Sequence, residues 1–145
     1  MLRADWGGLT IGWRSRVCRV ENVLGFDSGM GFDFFSEELG GLYTIINIYM
    51  PYLNREPFWD SLLNKYFIKG KEIILGGDLN LSLGAMEVWG PKAILDPLGD
   101  FFIWSFVRSG LVDLAPQKLT ANWRNRRAGD HRVEKRLDRF WLVSS

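Results

Sequence analysis

Asp78 and Asn80 have the residue types and the spacing that most clearly suggest chemistry in this chain. They follow the apolar run Ile73-Ile74-Leu75 and the pair Gly76-Gly77, whose glycines would let the backbone turn tightly or approach a ligand. In an extended segment, side chains two residues apart point to the same side. A carboxylate and a carboxamide placed together can orient a nucleophilic water and hold a phosphate or a hydrated magnesium ion. The same residue types also form Asx-type turns, and this segment taken alone favours such a turn.

Two further segments carry polar residues at the ends of strand-like runs. The run that starts at Leu42 ends in Ile46-Asn47-Ile48-Tyr49-Met50-Pro51, and the C-terminal run Arg136 to Ser144 contains Asp138. Together the three segments give the order Tyr-x-Pro, Gly-Asp-x-Asn and Arg-Leu-Asp-x-Phe-x-Leu-x-Ser. This order resembles the endonuclease/exonuclease/phosphatase superfamily of DNase I-like nucleases and abasic-site endonucleases. Within it, the chain is most similar to the endonuclease domains of LINE-type (non-LTR) retrotransposons.

Smaller segments extend the resemblance over nearly the whole chain. They are Gly7-Gly8-Leu9 with Trp13, Arg55-Glu56-Pro57-Phe58-Trp59, Gly110-Leu111-Val112-Asp113-Leu114, and Thr120 with Trp123. In this superfamily a divalent cation, usually magnesium, polarises a phosphodiester, and a water attacks phosphorus in line with the leaving oxygen. The resemblance therefore implies magnesium as the cofactor and DNA as the partner of this chain.

The resemblance also assigns roles to four residues. Asp78 would orient or deprotonate the attacking water, and Asn80 would hold the phosphate or the aspartate. Tyr49 would contact the phosphate or the leaving group. Asp138 would hold a catalytic histidine in its tautomer. Structural alternatives stay open for the last two residues: Tyr49 as an aromatic at the rim of the core, and Asp138 as an acid paired with a neighbouring arginine, Arg136 or Arg139.

The chain departs from the family pattern at the metal site. The family supplies an Asn and a metal-binding Glu from strands before the Gly-Gly-Leu segment, and an Asp-His pair after the strand of Asp138, and this chain contains no match to either. Asp130-His131 precedes Asp138, so His131 is interpreted as a loop residue. Tyr52 stands where many relatives carry Asn. The metal ligands are therefore unknown, and magnesium is expected to bind weakly because its main carboxylate is absent.

The segment between Lys118 and Arg139 is locally basic although the net charge of the chain is only +1. Its basic residues are Lys118, Arg124, Arg126, Arg127, Arg132, Lys135, Arg136 and Arg139, opposed by Asp130, Glu134 and Asp138. Trp123, Arg124, Arg126 and Arg127 are the candidate nucleic-acid contacts, because arginines bind phosphates and an indole stacks on a base or wedges into a groove. The alternative is a solvated hairpin loop whose arginines pair with nearby acids.

The hydrophobic pattern predicts a single α+β domain over residues 1–145. Several short strands before the first helix favour this class over a doubly wound sheet. The resemblance implies a partial four-layer sandwich of two mainly antiparallel sheets flanked by helices, truncated at both ends and with a sheet edge or apolar face left uncovered. The predicted strands are 9–13, 17–24, 32–35, 42–49, 73–75 and 137–143, the helices begin at Asn54 and Asp100, and residues 80–96 form a long surface loop.

Composition sets the remaining expectations. A hydrophobic fraction of 47% with seven Trp predicts a packed core, and the single Cys excludes an intrachain disulfide. The sequence has no apolar run of membrane-spanning length and no signal peptide, so no membrane partner and a nuclear or cytoplasmic location are expected. The expected function is metal-dependent phosphodiester hydrolysis by ancestry, impaired in this fragment. The alternatives are a catalytically dead nucleic-acid-binding remnant and a phosphatase of a small phosphate ester.

Overall fold

The structure is a computed structural model that describes residues 9–66 and 72–143. The interpretations of Gly7-Gly8 and Ser144 lie outside the described residues, and so do the predicted places of the Tyr66 side chain and Phe67 in the apolar stripe of the first helix. Among the described residues, no helix is long and apolar enough to cross a membrane.

The described residues form two helices and two β-sheets. This architecture confirms the predicted α+β class. The strands are β1 (Cys18–Phe26), β2 (Gly29–Ser36), β3 (Gly41–Tyr49), β4 (Glu72–Asp78), β5 (Val88–Trp89), β6 (Leu111–Asp113), β7 (Trp123–Arg124), β8 (Glu134–Lys135) and β9 (Asp138–Val143), and the helices are α1 (Arg55–Tyr66) and α2 (Gly99–Arg108). One sheet has the order β1-β2-β3-β4-β9-β6, and the other has the order β5-β8-β7. Only the β3–β4 pair is parallel in these sheets, so both are mainly antiparallel as predicted.

The core lies between one face of the six-stranded sheet and the two helices. Alternate residues of β3 and β4 point to this face, and Ile46, Ile48, Ile73 and Leu75 are fully buried there. The helices contribute Trp59 and Leu62 from α1 and Phe102 and Phe106 from α2. The ring of Phe106 lies 4.7 Å from that of Trp59 and 4.6 Å from that of Trp141 of β9. This packing fixes the strands whose ends carry the predicted site.

The sequence predicts that an apolar stripe of the second helix, formed by Phe102, Phe106 and Val107, packs against the sheet, and the structure differs from this prediction at one position. Phe102, Ser105 and Phe106 are buried, at the i, i+3, i+4 spacing of a helix face. Val107 was expected to pack with them but is 73% exposed, because it follows Phe106 by one residue and points away from the sheet.

Two of the predicted elements are wrong. Residues 9–13 form no strand; instead the indole of Trp13 packs on Phe32 of β2, with ring centroids 5.3 Å apart. Residues 80–96 are not a long surface loop, since Leu81, Ser82 and Glu87 are buried and the segment contains a 3-10 turn and β5. The segment alone did not predict that burial, because Glu87 and Asp96 pair with Arg139 and Arg55, which are distant in the sequence.

Candidate active site at the ends of β3, β4 and β9

The register of the six-stranded sheet brings Tyr49, Asp78 and Asp138 into one row. Tyr49 at the end of β3 is the pairing partner of Asp78 at the end of β4, and Asp78 is the partner of Asp138 at the start of β9. Paired residues on adjacent strands project to the same face. The structure therefore brings these three predicted residues together at one end of the sheet. Tyr49 is 42% exposed, so it does not lie within the core.

The glycine pair before Asp78 brings the strands close together and is part of β4, so it does not form a ligand loop. A Cβ atom on Gly77, whose φ is +133°, would lie 1.9 Å from the carbonyl oxygen of Ile48. A Cβ atom on Gly76 would lie 2.5 Å from the ring of Phe140. Side chains at either position would push β3 or β9 away from β4, and the row at the strand ends would separate.

Asn80 is fixed beside this row by two hydrogen bonds that it donates. Its backbone N–H donates to Asp78 Oδ1 at 3.0 Å, which is the local Asx geometry, and its Nδ2 donates to the carbonyl of Met50 at 2.6 Å. Asn80 has a φ of 45° and is only 8% exposed. Because Nδ2 is committed to a carbonyl, the side chain presents Oδ1, which has no hydrogen-bond partner among the described residues. Asn80 therefore offers a buried, unused acceptor next to Asp78.

Asn80 is also held by an ion pair that the sequence did not predict. Arg55 of α1 donates to Asp96 through Nη1 at 2.6 Å and Nη2 at 2.7 Å, and the same Nη1 donates to the carbonyl of Asn80 at 3.1 Å. Burial by itself raises the pKa of Asp96, but the hydrogen bonds from Arg55 and from the Leu98 backbone lower it overall. The segment around Arg55 was noted in the sequence because it resembles the family, whereas no local pattern indicated a role for Asp96.

The row has a negative local potential. The pKa of Asp138 is raised, first because its carboxyl is partly buried although the residue as a whole is exposed, and second because of the charge of Asp78. The pKa of Tyr52 is also raised, first by partial burial, then by its interaction with the Tyr49 hydroxyl, and by the negative charge of Asp78. Tyr52 was noted in the sequence only as a departure from the family, and here it joins the site. Such a site favours a cation over a bare phosphate.

The donor set fits a weakly held magnesium ion. No group of three or more His, Cys, Asp or Glu side chains in the described residues is placed to hold a metal. Asp78, Asp138 and the unpartnered Oδ1 of Asn80 are nevertheless all oxygen donors. Magnesium prefers oxygen ligands, keeps several of its waters and needs only one or two protein carboxylates.

The predicted nucleic-acid contacts lie on a hairpin formed by β7 and β8. Arg124 pairs with Glu134 at 2.8 Å, and so does Arg132, as the solvated-hairpin alternative expected. Arg126 and Arg127 have no ion pair among the described residues. Trp123, Arg124, Arg126 and Arg127 line a groove of about 580 Å³ together with Lys92, Ile94, Asn125, Val133 and Lys135.

This basic groove borders a cleft of about 360 Å³ that is lined in part by Asn80 and Tyr52 of the candidate active site. The cleft is lined by Tyr52, Arg55, Asn80, Ile94, Leu95, Asp96, Pro97, Trp123, Lys135 and Leu137. Ile94, Trp123 and Lys135 border both spaces. The indole of Trp123, 36% exposed, therefore stands at the junction between the basic hairpin and the candidate active site.

Arg136 and Arg139 belong to the interior and not to the basic surface. Arg136 donates to Asp113 at 2.7 and 2.8 Å and to Glu87 at 3.0 Å. Arg139 donates to Glu87 through both Nη atoms and to Asp113 at 3.0 Å. These four residues form a charge-balanced buried network, called here the arginine–carboxylate network. Asp138 pairs with neither Arg136 nor Arg139. The alternative that Asp138 is a structural acid paired with one of these arginines is therefore wrong.

His131 lies in the hairpin loop, as the sequence interpretation expected. It ends the 3-10 turn Gly129–His131 and is exposed. It is the only histidine of the chain.

Comparison with known proteins identifies the fold. The endonuclease domain of TRAS1, a telomere-specific non-LTR retrotransposon, is 18% identical with a TM-score of 0.61, and the match covers 85% of this chain and 56% of that one. TDP2 from D. rerio, complexed with single-strand DNA product, is 12% identical with a TM-score of 0.57, covering 91% and 56%. A mannosyl-6-phosphatase from Bacteroides thetaiotaomicron is 15% identical with a TM-score of 0.52, covering 92% and 55%.

The chain therefore has the fold of the endonuclease/exonuclease/phosphatase superfamily, as its motifs predicted. It spans little more than half the length of each of these structures. No family model matches the sequence, and no curated protein matches it. Proteins with this fold include an endonuclease of the LINE type and a phosphatase.

Proposed function

We propose that this chain is a metal-dependent phosphodiester hydrolase domain that acts on DNA, with low activity as the isolated 145-residue chain. The observation that carries the proposal is the row of Tyr49, Asp78 and Asp138, with the unused acceptor of Asn80 beside it. These residue types match what phosphodiester hydrolysis needs, namely a group that accepts a proton from water and groups that hold the phosphate.

Each residue has a role that follows from its contacts. Asp78, held by the N–H of Asn80, accepts a proton from the attacking water as its oxygen bonds to phosphorus. Asn80 accepts the second hydrogen bond of that water through Oδ1, because its Nδ2 already donates to Met50. Tyr49 and Tyr52 donate hydroxyl hydrogen bonds to phosphate oxygens. The bond from phosphorus to the leaving oxygen breaks, and that oxygen takes a proton from solvent.

Asp138, the partner of Asp78 in the row, is the residue that would hold magnesium, with water as the ion's other ligands. When bound, magnesium supplies Lewis-acid stabilisation of the negative charge that develops on the phosphate. Asp138 has a raised pKa, so its affinity for a proton competes with its use as a ligand. We therefore expect magnesium to be held weakly and less well as the pH is lowered.

The basic groove favours a polymer over a small phosphate ester. A groove of about 580 Å³ leads away from the site and carries two arginines without ion pairs among the described residues. A small ester would occupy only the cleft near Asn80, whereas a strand of DNA would place further phosphates near Arg126 and Arg127 and a base on Trp123.

Fluorescence anisotropy of a labelled DNA oligonucleotide tests this assignment. The logarithm of the binding constant should fall linearly with the logarithm of salt concentration. Arg126→Ala and Arg127→Ala should each reduce that slope by about 0.7–0.9, which is the value for one lost phosphate contact. Arg108→Ala is the matched control, because Arg108 lies on α2 and its guanidinium stacks on Trp104.

Two outcomes would contradict the DNA assignment. One is an equal loss of slope in Arg108→Ala, which would mean that binding is not localised to the groove. The other is displacement of the oligonucleotide by p-nitrophenyl phosphate at an equal concentration of phosphate groups, which would favour a small phosphate ester as the substrate.

A further inference from the structure

The side chain of Asn122 completes an edge of β9 that no strand covers among the described residues. On one side, β9 pairs with β4 as far as Asp138. On the other side, its ladder with β6 ends at Trp141, and the N–H of Leu114 adds one bond to the carbonyl of Phe140. The backbone of Asp138 therefore lies beyond the end of β6 and has no strand partner on that side.

Asn122 supplies the missing partner through its carboxamide. Its Oδ1 accepts the N–H of Leu137 at 2.7 Å and the N–H of Asp138 at 3.2 Å, and its Nδ2 donates to the carbonyl of Asp138 at 2.9 Å. A carboxamide combines a donor and an acceptor as a peptide group does, so this side chain imitates part of a neighbouring strand. The N–H and the C=O of Asp138 are both directed away from β4.

This bonding pattern determines how Asp138 faces Asp78. In an antiparallel pair of strands, opposite residues that do not bond to each other have closer Cα atoms and closer side chains than those that do. Because both backbone groups of Asp138 bond to Asn122, the opposite residues Asp78 and Asp138 form such a non-hydrogen-bonded pair. Their side chains are therefore close neighbours, and the position of Asp138 depends on Asn122.

Asn122 also belongs to the hairpin that carries Trp123. Its backbone N–H donates to the carbonyl of Lys135 at 3.1 Å, next to the ladder in which β7 and β8 pair through two residues each. So short a ladder gives a hairpin little stability of its own. Asn122 therefore joins the hairpin, through its backbone, to Asp138, through its side chain.

We propose that Asn122 is a positioning residue of the candidate active site, which holds Asp138 in place and anchors it to the hairpin that carries Trp123. This inference rests on the proposed function, in which Asp138 would hold magnesium. Loss of a group that orients a metal ligand commonly lowers metal affinity by about 10–100-fold. Asn122 acts on the ion only through Asp138, whose backbone it restrains.

Asn125 offers a matched control in the same hairpin. Its Oδ1 accepts the N–H of Arg127 at 3.2 Å and the N–H of Val133 at 3.1 Å, and its Nδ2 donates to the carbonyl of His131 at 2.7 Å. Asn122 and Asn125 thus each make three side-chain hydrogen bonds to the backbone, but those of Asn125 stay within the hairpin. Removing either carboxamide loosens the hairpin, whereas only the removal of Asn122 releases β9.

Titration of the ¹⁵N-labelled chain with magnesium chloride, followed by nuclear magnetic resonance at the backbone amide of Asp138, tests the inference without catalysis. Asn122→Ala should raise the magnesium dissociation constant at least about tenfold. Asn125→Ala should leave that constant unchanged. Hydrogen exchange of the Leu137 and Asp138 amides, measured on the same samples, should become faster in Asn122→Ala and not in Asn125→Ala.

The outcomes separate this inference from the proposed function. Magnesium binding at Asp138 that Asn122→Ala leaves unchanged, or that Asn125→Ala weakens equally, overturns the positioning role and leaves the proposed metal ligand standing. A wild-type chain whose Asp138 amide does not respond to magnesium overturns the proposed metal ligand, and the positioning role with it. If circular dichroism shows that Asn122→Ala does not fold, Asn122→Gln replaces it. That variant keeps the carboxamide but displaces it by one methylene, so it should weaken magnesium binding in the same way.

Discussion

Replacing Arg139 by Met is expected to destabilise the fold by about 3–5 kcal/mol, which is the range for removing one partner of a buried ion pair. Arg139 is fully buried and donates to both Glu87 and Asp113. Without it, the arginine–carboxylate network keeps two carboxylates and a single arginine in the interior. Urea unfolding followed by tryptophan fluorescence measures the change. Arg126→Met is the surface control and should change stability by less than about 0.5 kcal/mol.

A double variant distinguishes charge imbalance from lost packing. Glu87→Met combined with Arg139→Met leaves Arg136 and Asp113 as a balanced, hydrogen-bonded pair. Replacing both partners of a buried pair by apolar residues is often neutral, so the double variant should recover much of the stability lost in each single variant. A double variant that is as unstable as the sum of the two single variants would contradict the network's role.

The arginine–carboxylate network also makes the stability of the fold depend on pH in the acidic range. Burial raises the pKa of Glu87, but the hydrogen bonds from Arg139, the Leu83 backbone and Arg136 together hold it below its ordinary value of 4.5. A carboxyl with a lowered folded-state pKa contributes stability above its unfolded pKa, and that stability is lost as the pH falls through the folded-state pKa. Wild-type stability should therefore fall below about pH 4.5 more steeply than that of Glu87→Gln.

The charge of Asp138 has the opposite effect on stability from that of Glu87. Its pKa is raised by partial burial and by Asp78, so its charged form costs stability at neutral pH. Asp138→Asn should therefore not destabilise the fold at pH 7 and should remove that cost, whereas Glu87→Gln should destabilise it. A loss of stability in both variants would show that Asp138 has a structural partner that its contacts do not reveal.

Plasmid nicking by the 145-residue chain in magnesium is expected to be at least about 10²–10³-fold slower than nicking by the TRAS1 endonuclease domain assayed in parallel. That factor is the usual cost of one missing preorganised electrostatic group. The only histidine of this chain is exposed in the hairpin loop, and no third carboxylate joins Asp78 and Asp138 among the described residues. Tyr49, Asp78 and Asn80 can position the water and the phosphate without fully stabilising the transition state.

Asp78→Ala is the control for this experiment, because it removes the group that accepts the proton of the water. Any slow nicking by the wild-type chain should disappear in it, and nicking that persists comes from a contaminant. Robust magnesium-dependent nicking that disappears in Asp78→Ala would contradict the expected low activity and would mean that another residue serves as a metal ligand.

The sequence predicted the part of the site that depends on strand ends. Tyr49, Asp78 and Asp138 each follow or begin an apolar run, and apolar runs become strands of one sheet whose ends meet. Asn80 was predicted by its spacing of two from Asp78. The fold class followed from the order of strands and helices, and the superfamily resemblance predicted the antiparallel sheets.

The supporting contacts were not predictable from local pattern. Glu87 is 49 and 52 residues away from Arg136 and Arg139, and Arg55 is 41 residues away from Asp96. Residues that pair over such distances produce no periodic pattern in the sequence. The sequence analysis therefore placed Arg136 and Arg139 on a basic surface and predicted a loop for residues 80–96. The glycine pair was ambiguous for a related reason, because only the neighbouring strands show that Gly76 and Gly77 have no room for a side chain.

We propose that a DNA phosphate binds at the row of Tyr49, Asp78 and Asp138 and that the DNA strand continues past Trp123. Nuclear magnetic resonance of the ¹⁵N-labelled chain, titrated with a short DNA oligonucleotide in magnesium, tests it independently of catalysis. We predict that the Asn80 backbone amide and the Trp123 indole N–H shift together along one binding curve, while the indole of Trp104, exposed on α2, does not move. Shifts at Trp104 without shifts at Asn80 and Trp123 would contradict the account.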